Sequence, residues 1–137
     1  MGRKKPRIKS PQLPPAEGRI KSPLEGDDET PLWCFKHLRS NYSFENIQQQ
    51  DAKRLVEGFE RRRDKNWADL MRGDAHNGIV ACSVSAKLTK PLPLEFKSET
   101  TFLKFYVGKR NGRVVGFRRG RQFCVVWIDF QLDVTKH

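Results

Sequence analysis

No stretch of this 137-residue chain approaches the ~18 consecutive apolar residues of a membrane span. Its basic N-terminus is not followed by the apolar core of a secretory signal. A cytoplasmic protein that does not enter a membrane is therefore expected. Cysteine is scarce: Cys34, Cys82 and Cys124 are odd in number and widely spaced, which excludes a self-contained disulfide framework and predicts reduced thiols. Cys124 lies in an apolar run and reads as core. Paired Cys-x-x-Cys is missing. Cys34 and His37 do have a spacing that occurs in metal sites, with His76 and Cys82 as the residues that would complete a tetrahedral set, but without the paired motif no metal is expected. Also missing are a glycine-rich phosphate loop ending in Lys-Ser or Lys-Thr and a Gly-x-Ser-x-Gly elbow. Nucleotide-driven and serine-hydrolase mechanisms are thereby excluded, and no small-molecule cofactor is expected.

Acids are few beside bases. Lys and Arg number 27 against 16 Asp and Glu, a formal charge of +11 with 36% hydrophobic residues. This composition supports one core and a tail, and a surplus of that size attracts phosphate backbones. Residues 1–31 are rich in Pro, Gly, Lys and acids and nearly empty of large apolar side chains, so they are expected to be a disordered basic tail. Within it Arg7-Ile8-Lys9-Ser10-Pro11 recurs as Arg19-Ile20-Lys21-Ser22-Pro23, a duplicated basic motif suited to non-specific nucleic-acid contact or to a merely soluble leader. Residues 32–137 are expected to form a single α+β domain.

The domain opens with Leu32-Trp33-Cys34-Phe35, a first strand or a helical lead-in. Ser43 is placed to cap a helix in which Phe44, Ile47, Ala52, Leu55, Val56 and Phe59 recur at helical spacing to about Arg63. A shorter helix carries Trp67, Leu70 and Met71 and ends at Gly73, for which the left-handed conformation is expected. Together these predict a helical hairpin. Residues 74–97 read as an irregular connection with a short strand near Ile79 to Ser83. Three runs rich in Val, Phe, Tyr and Trp follow, Thr101 to Val107, Arg113 to Arg118 and Gln122 to Phe130, separated by Asn111-Gly112 and Arg119-Gly120. They predict an antiparallel meander. In the last run Phe123, Val125 and Trp127 alternate with Cys124, Val126 and Ile128. Both faces are apolar, so this strand is expected to be central or covered.

Between positions 97 and 121 eight Lys and Arg stand against the single Glu99, a surplus of seven positive charges. Lys109, Arg110, Arg119 and Arg121 with Tyr106 and Phe117 combine cations and aromatic rings, as a single-stranded nucleic acid requires for phosphate contact and base stacking. The same alternation also arises without a ligand, when the aromatics are core and the arginines are solvated.

Phe102-Leu103-Lys104-Phe105, then Gly112-Arg113-Val114-Val115-Gly116-Phe117, then Phe123-Cys124-Val125-Val126-Trp127-Ile128, following two helices, resemble the RelE/ParE family of bacterial toxins over roughly residues 44–137. The resemblance implies an N-terminal helical hairpin packed on a C-terminal antiparallel meander. It also implies a toxin of a toxin-antitoxin system that cuts messenger RNA without a metal, on or off the ribosome, and a cognate antitoxin as partner. Lys104 would then be a base or phosphate ligand, Arg113 and Arg118 transition-state ligands and His137 an acid. Two alternatives stay open: a ParE-like inhibitor of DNA gyrase, and a non-catalytic basic nucleic-acid-binding domain.

Overall fold

The computed structural model describes residues 26–85, 88 and 101–135. The expected tail up to residue 25, the repeated basic motif, Lys97 and His137 lie outside the described residues. The elements are β1 (Leu32–Cys34), a 3-10 turn (Phe44–Asn46), α1 (Gln49–Arg62), α2 (Trp67–Arg72), β2 (Val80–Cys82), β3 (Phe102–Val107), β4 (Gly112–Arg119) and β5 (Gln122–Asp129). Among the described residues no helix is long and apolar enough to cross a membrane.

The expected helical hairpin on a three-stranded meander, the RelE/ParE-like arrangement, does not form. The strands make one mixed five-stranded sheet in the order β1-β5-β4-β3-β2, with β1 parallel to β5 and the other pairs antiparallel. α2 has only six residues, of which Trp67 and Leu70 are buried in the core against the sheet while Met71 stays exposed. Trp67 is fully buried and stacks on Phe123 at 6.1 Å. The start of α2 is tied to the segment before β1, with Trp67 N–H donating to the Glu29 carbonyl (3.0 Å) and Ala68 N–H to the Asp27 carbonyl (2.9 Å). Asp27 also pairs with Arg118 at 2.6 Å. Residues 27–30 therefore belong to the folded unit, although their composition matches the tail.

β5 is an interior strand, flanked by β1 and β4, and it is apolar on both faces because each face is covered by its own buried cluster. Its alternation breaks at a bulge. Val115 pairs with Trp127 and Gly116 with Val125, leaving Val126 as the extra residue. A bulge turns every following side chain to the opposite face. Trp127 thus joins Cys124 and Val126 in one cluster, and Ile128 joins Phe123 and Val125 in the other, correcting the simple alternation. Gly116 sits against the Cys124 carbonyl, where a Cβ has no room.

The Phe123 face carries the main core, in which Leu103, Phe105, Val107 and Val114 pack against Leu55, Trp67, Leu70 and Ile79. Two cap expectations are also corrected. Ser43 caps the 3-10 turn, while α1 starts later, after Gln48. Gly73 is extended (φ −88°, ψ 179°) and not left-handed, because the chain reverses one step later, in the turn opened by Asp74.

Candidate nucleic-acid interface

α1, the 74–78 turn and the β3–β4 turn enclose a cleft of about 800 Å³ whose walls carry Arg54, Arg61, His76, Tyr106, Lys109 and Arg110, with Glu57 as the acid among them. Helical spacing places Arg54, Gly58 and Arg61 on one side of α1. Gly58 is what lets that side approach β3, since a Cβ there would stand 2.6 Å from Val107 Cγ1. Arg54 is anchored on Asp51 at 2.7 Å, whereas Arg61 is exposed.

Arg62 holds the second wall. It is fully buried and donates to the carbonyls of Gly58 (2.8 Å), Gly78 (3.2 Å), Ala75 (3.1 Å) and His76 (3.0 Å), with its guanidinium 4.1 Å from the Phe105 ring centroid. Burial, reinforced by the neighbouring Arg61 charge, pulls its pKa down to about 10. It remains charged at neutral pH. The turn it grips is closed internally by the Asp74 carboxylate, which accepts from His76 N–H (3.0 Å) and Asn77 N–H (2.9 Å). Those backbone bonds hold the Asp74 carboxyl below its usual range. Tyr106 N–H donates to the Ala75 carbonyl at 2.8 Å, so β3 fixes the turn as well.

Tyr106 is the hub of a cation cluster. His76 lies 4.9 Å from its ring, Lys104 Nζ 5.0 Å, and the Arg110 and Arg113 guanidinium carbons 5.5 and 5.9 Å. Lys104 Nζ is 3.4 Å from the Tyr106 hydroxyl, and Arg110 Nε donates to His76 Nε2 at 3.4 Å. Arg110 reaches this position from a left-handed backbone (φ 68°), a conformation that costs a non-glycine residue about 1–2 kcal/mol.

The residues singled out in the sequence divide between two ends of the sheet. Lys104, Tyr106, Lys109, Arg110 and Arg113 converge at the β3–β4 end. Arg113 is buried and donates to the hydroxyl of Thr135 as well as to its carbonyl at 3.4 Å. Arg118 points to the helix side, bonding Asp27 and lying 4.2 Å over Trp67. Phe117 is buried, with Arg119 over its ring at 5.5 Å. Arg121 donates to the Thr30 carbonyl at 2.9 Å and faces Glu29 at 3.7 Å. These last four lie toward the other end of β4, roughly 14–20 Å of strand from Arg113. Sequence reasoning missed Arg54, Arg61 and Arg62 as site residues and weighed His76 only as a metal ligand. Their legible signals were a glycine within a basic helix face and an Asp-x-His-Asn-Gly turn.

His76 and Cys82 do not join Cys34 and His37. Cys82 faces Lys104 and Arg113, and burial pushes its thiol up to about 11 against their pull. The partner that does join Cys34 and His37 is Cys124. No family model matches the sequence, and neither a curated protein nor a solved structure is significantly similar to it.

Proposed function

We propose that this domain binds single-stranded RNA through the cleft between α1 and the β3–β4 turn. The carrying observation is that the cleft brings Arg54, Arg61, His76, Lys109 and Arg110 together around Tyr106, with the His76 ring 4.9 Å and the Arg110 guanidinium 5.5 Å from the Tyr106 ring. Cations around an aromatic side chain provide for phosphates and a base together. A cleft of about 800 Å³ has room for a nucleotide or two. The toxin-family likeness does not extend to the fold, so the proposal rests on this site alone.

The test is fluorescence anisotropy with a labelled single-stranded RNA over a salt series, with DNA of the same sequence and duplex RNA alongside. About four phosphate contacts give log K a slope of about −3 against log salt, and replacing Arg61 or Arg110 by Ala flattens it by about 0.7 each. Equal binding of duplex and single strand, or indifference to both substitutions, refutes the proposal.

One observation favours a second reading, metal-independent cleavage. Arg110 Nε stands 3.4 Å from His76 Nε2 on the cleft wall, pairing an imidazole with a cation that a substrate phosphate would draw away from it. In that reading His76 removes the ribose 2′-hydroxyl proton, the resulting oxygen attacks the adjacent phosphorus, and the 5′-oxygen leaves with a proton delivered from Lys104 or solvent. A 2′,3′-cyclic phosphate results. The assay is a fluorogenic RNA in the presence of chelator. Cleavage that is lost in His76→Ala while binding persists supports it, and binding without cleavage leaves a pure binding module.

A further inference from the structure

A second constellation lies at the opposite edge of the sheet from β2. The parallel register of β1 and β5 sets Cys34 directly beside Cys124. After Cys34 the chain turns, with Leu38 N–H donating to the Phe35 carbonyl at 3.3 Å, and is then held to β5 by Arg39 N–H on the Val126 carbonyl at 2.9 Å. That turn brings His37 back over the sheet, its ring 5.5 Å from Phe117, the residue paired with Cys124 from β4. One ligand atom each from Cys34, His37 and Cys124 falls within 4.8 Å of the others.

We propose that Cys34, His37 and Cys124 form a binding site for a thiophilic divalent ion of the zinc class, with a fourth position open toward Gln122 and solvent. Zinc–sulfur and zinc–nitrogen bonds of about 2.3 and 2.0 Å in tetrahedral array place ligand atoms about 3.5–3.8 Å apart. The observed triangle exceeds that by at most about 1.0–1.3 Å, a gap that rotamer adjustment at Cys34 and His37 closes. Both are only partly buried, while Cys124 is fully buried. The ion thus has a fixed anchor and a path of entry. Gln122 Oε1 stands 4.0 Å from Cys124 Sγ on the exposed side. Two sulfurs, one imidazole and no carboxylate in the set disfavour magnesium and calcium, which take oxygen ligands. Arg119, over Phe117 at 5.5 Å, supplies positive charge next to the thiolates that metal binding creates. The site would staple β1, only three residues long, to its neighbour β5.

The competing chemistry for the same pair is a Cys34–Cys124 disulfide, so the test uses the full chain, stripped with chelator and kept reduced by a phosphine. Cobalt(II) is titrated and followed optically, and zinc(II) is then added. The expected result is a one-to-one complex with the strong visible bands of tetrahedral cobalt and a thiolate-to-cobalt charge-transfer band, both erased by zinc. Zinc also raises the melting temperature. Cys34→Ser and His37→Ala, at half-exposed positions where folding is verified by circular dichroism, weaken cobalt binding by at least about 100-fold. Cys82→Ser leaves it unchanged. The proposal is overturned if the reduced chain shows no charge-transfer band. It is equally overturned if the band survives in both Cys34→Ser and His37→Ala, or disappears in Cys82→Ser.

Discussion

Replacing Arg62 by Met keeps the volume and apolar stem of a fully buried side chain and removes its five donors. Three of the carbonyls left behind, those of Ala75, His76 and Gly78, belong to the turn that carries His76, while the fourth, of Gly58, lies within α1. The Ala75 carbonyl keeps the Tyr106 N–H as donor, so two turn acceptors lose theirs at about 1–3 kcal/mol each, together about 4 kcal/mol. The opposing term is the relief of burying a charge. A guanidinium pKa pulled down to about 10 corresponds to about 3 kcal/mol. Among the described residues no ion pair is made by Arg62, and Asp74 offsets its charge only in part and at longer range. The net expectation is a loss of about 1 kcal/mol, read as a fall in the urea midpoint at unchanged slope. Arg62→Lys, with three donors on one nitrogen, recovers part of it. RNA affinity falls with the midpoint, since the His76 turn loses its grip on α1. An unchanged or higher midpoint in Arg62→Met refutes the reasoning, because hydrophobic replacement would then outweigh the carbonyl network.

Arg110→Gly relieves a left-handed backbone and raises stability by about 1 kcal/mol while weakening RNA binding several-fold; denaturation and anisotropy on one sample check both signs. Gly58→Ala, which gains about 1 kcal/mol on an exposed helix, here presses a Cβ to 2.6 Å from Val107 Cγ1 and lowers stability by about 1–2 kcal/mol instead, as thermal melting would report. Cys82, with its thiol pushed up to about 11 by burial, alkylates about 100-fold more slowly at pH 8 in the folded than in the unfolded chain. Because its folded pKa lies above the unfolded value, its contribution to stability is complete below about pH 9 and fades as pH rises toward 11. Melting temperatures of the wild type and Cys82→Ala across that range therefore converge.

Local pattern sufficed where the physics is local. The period of 3.6 residues identified α1 and α2, turn chemistry separated β3, β4 and β5, and an apolar run on both faces placed β5 inside the sheet. The density of cations from Lys104 to Arg113 could be read without coordinates. Pairing between distant segments could not. Nothing in Leu32 to Cys34 states that it lies parallel to Gln122 to Cys124, and a six-residue α2 resembles half of a hairpin until Trp67 finds Phe123. The bulge at Val126 is invisible in a strand that is apolar on both faces, because either register looks equally hydrophobic. The sites follow the same division. Composition pointed to an anionic partner. The choice of His76 and Arg62 over Arg118, and of Cys124 over Cys82 beside His37, was made by tertiary contacts, since which side chains meet depends on strand order and register and not on their separation along the chain.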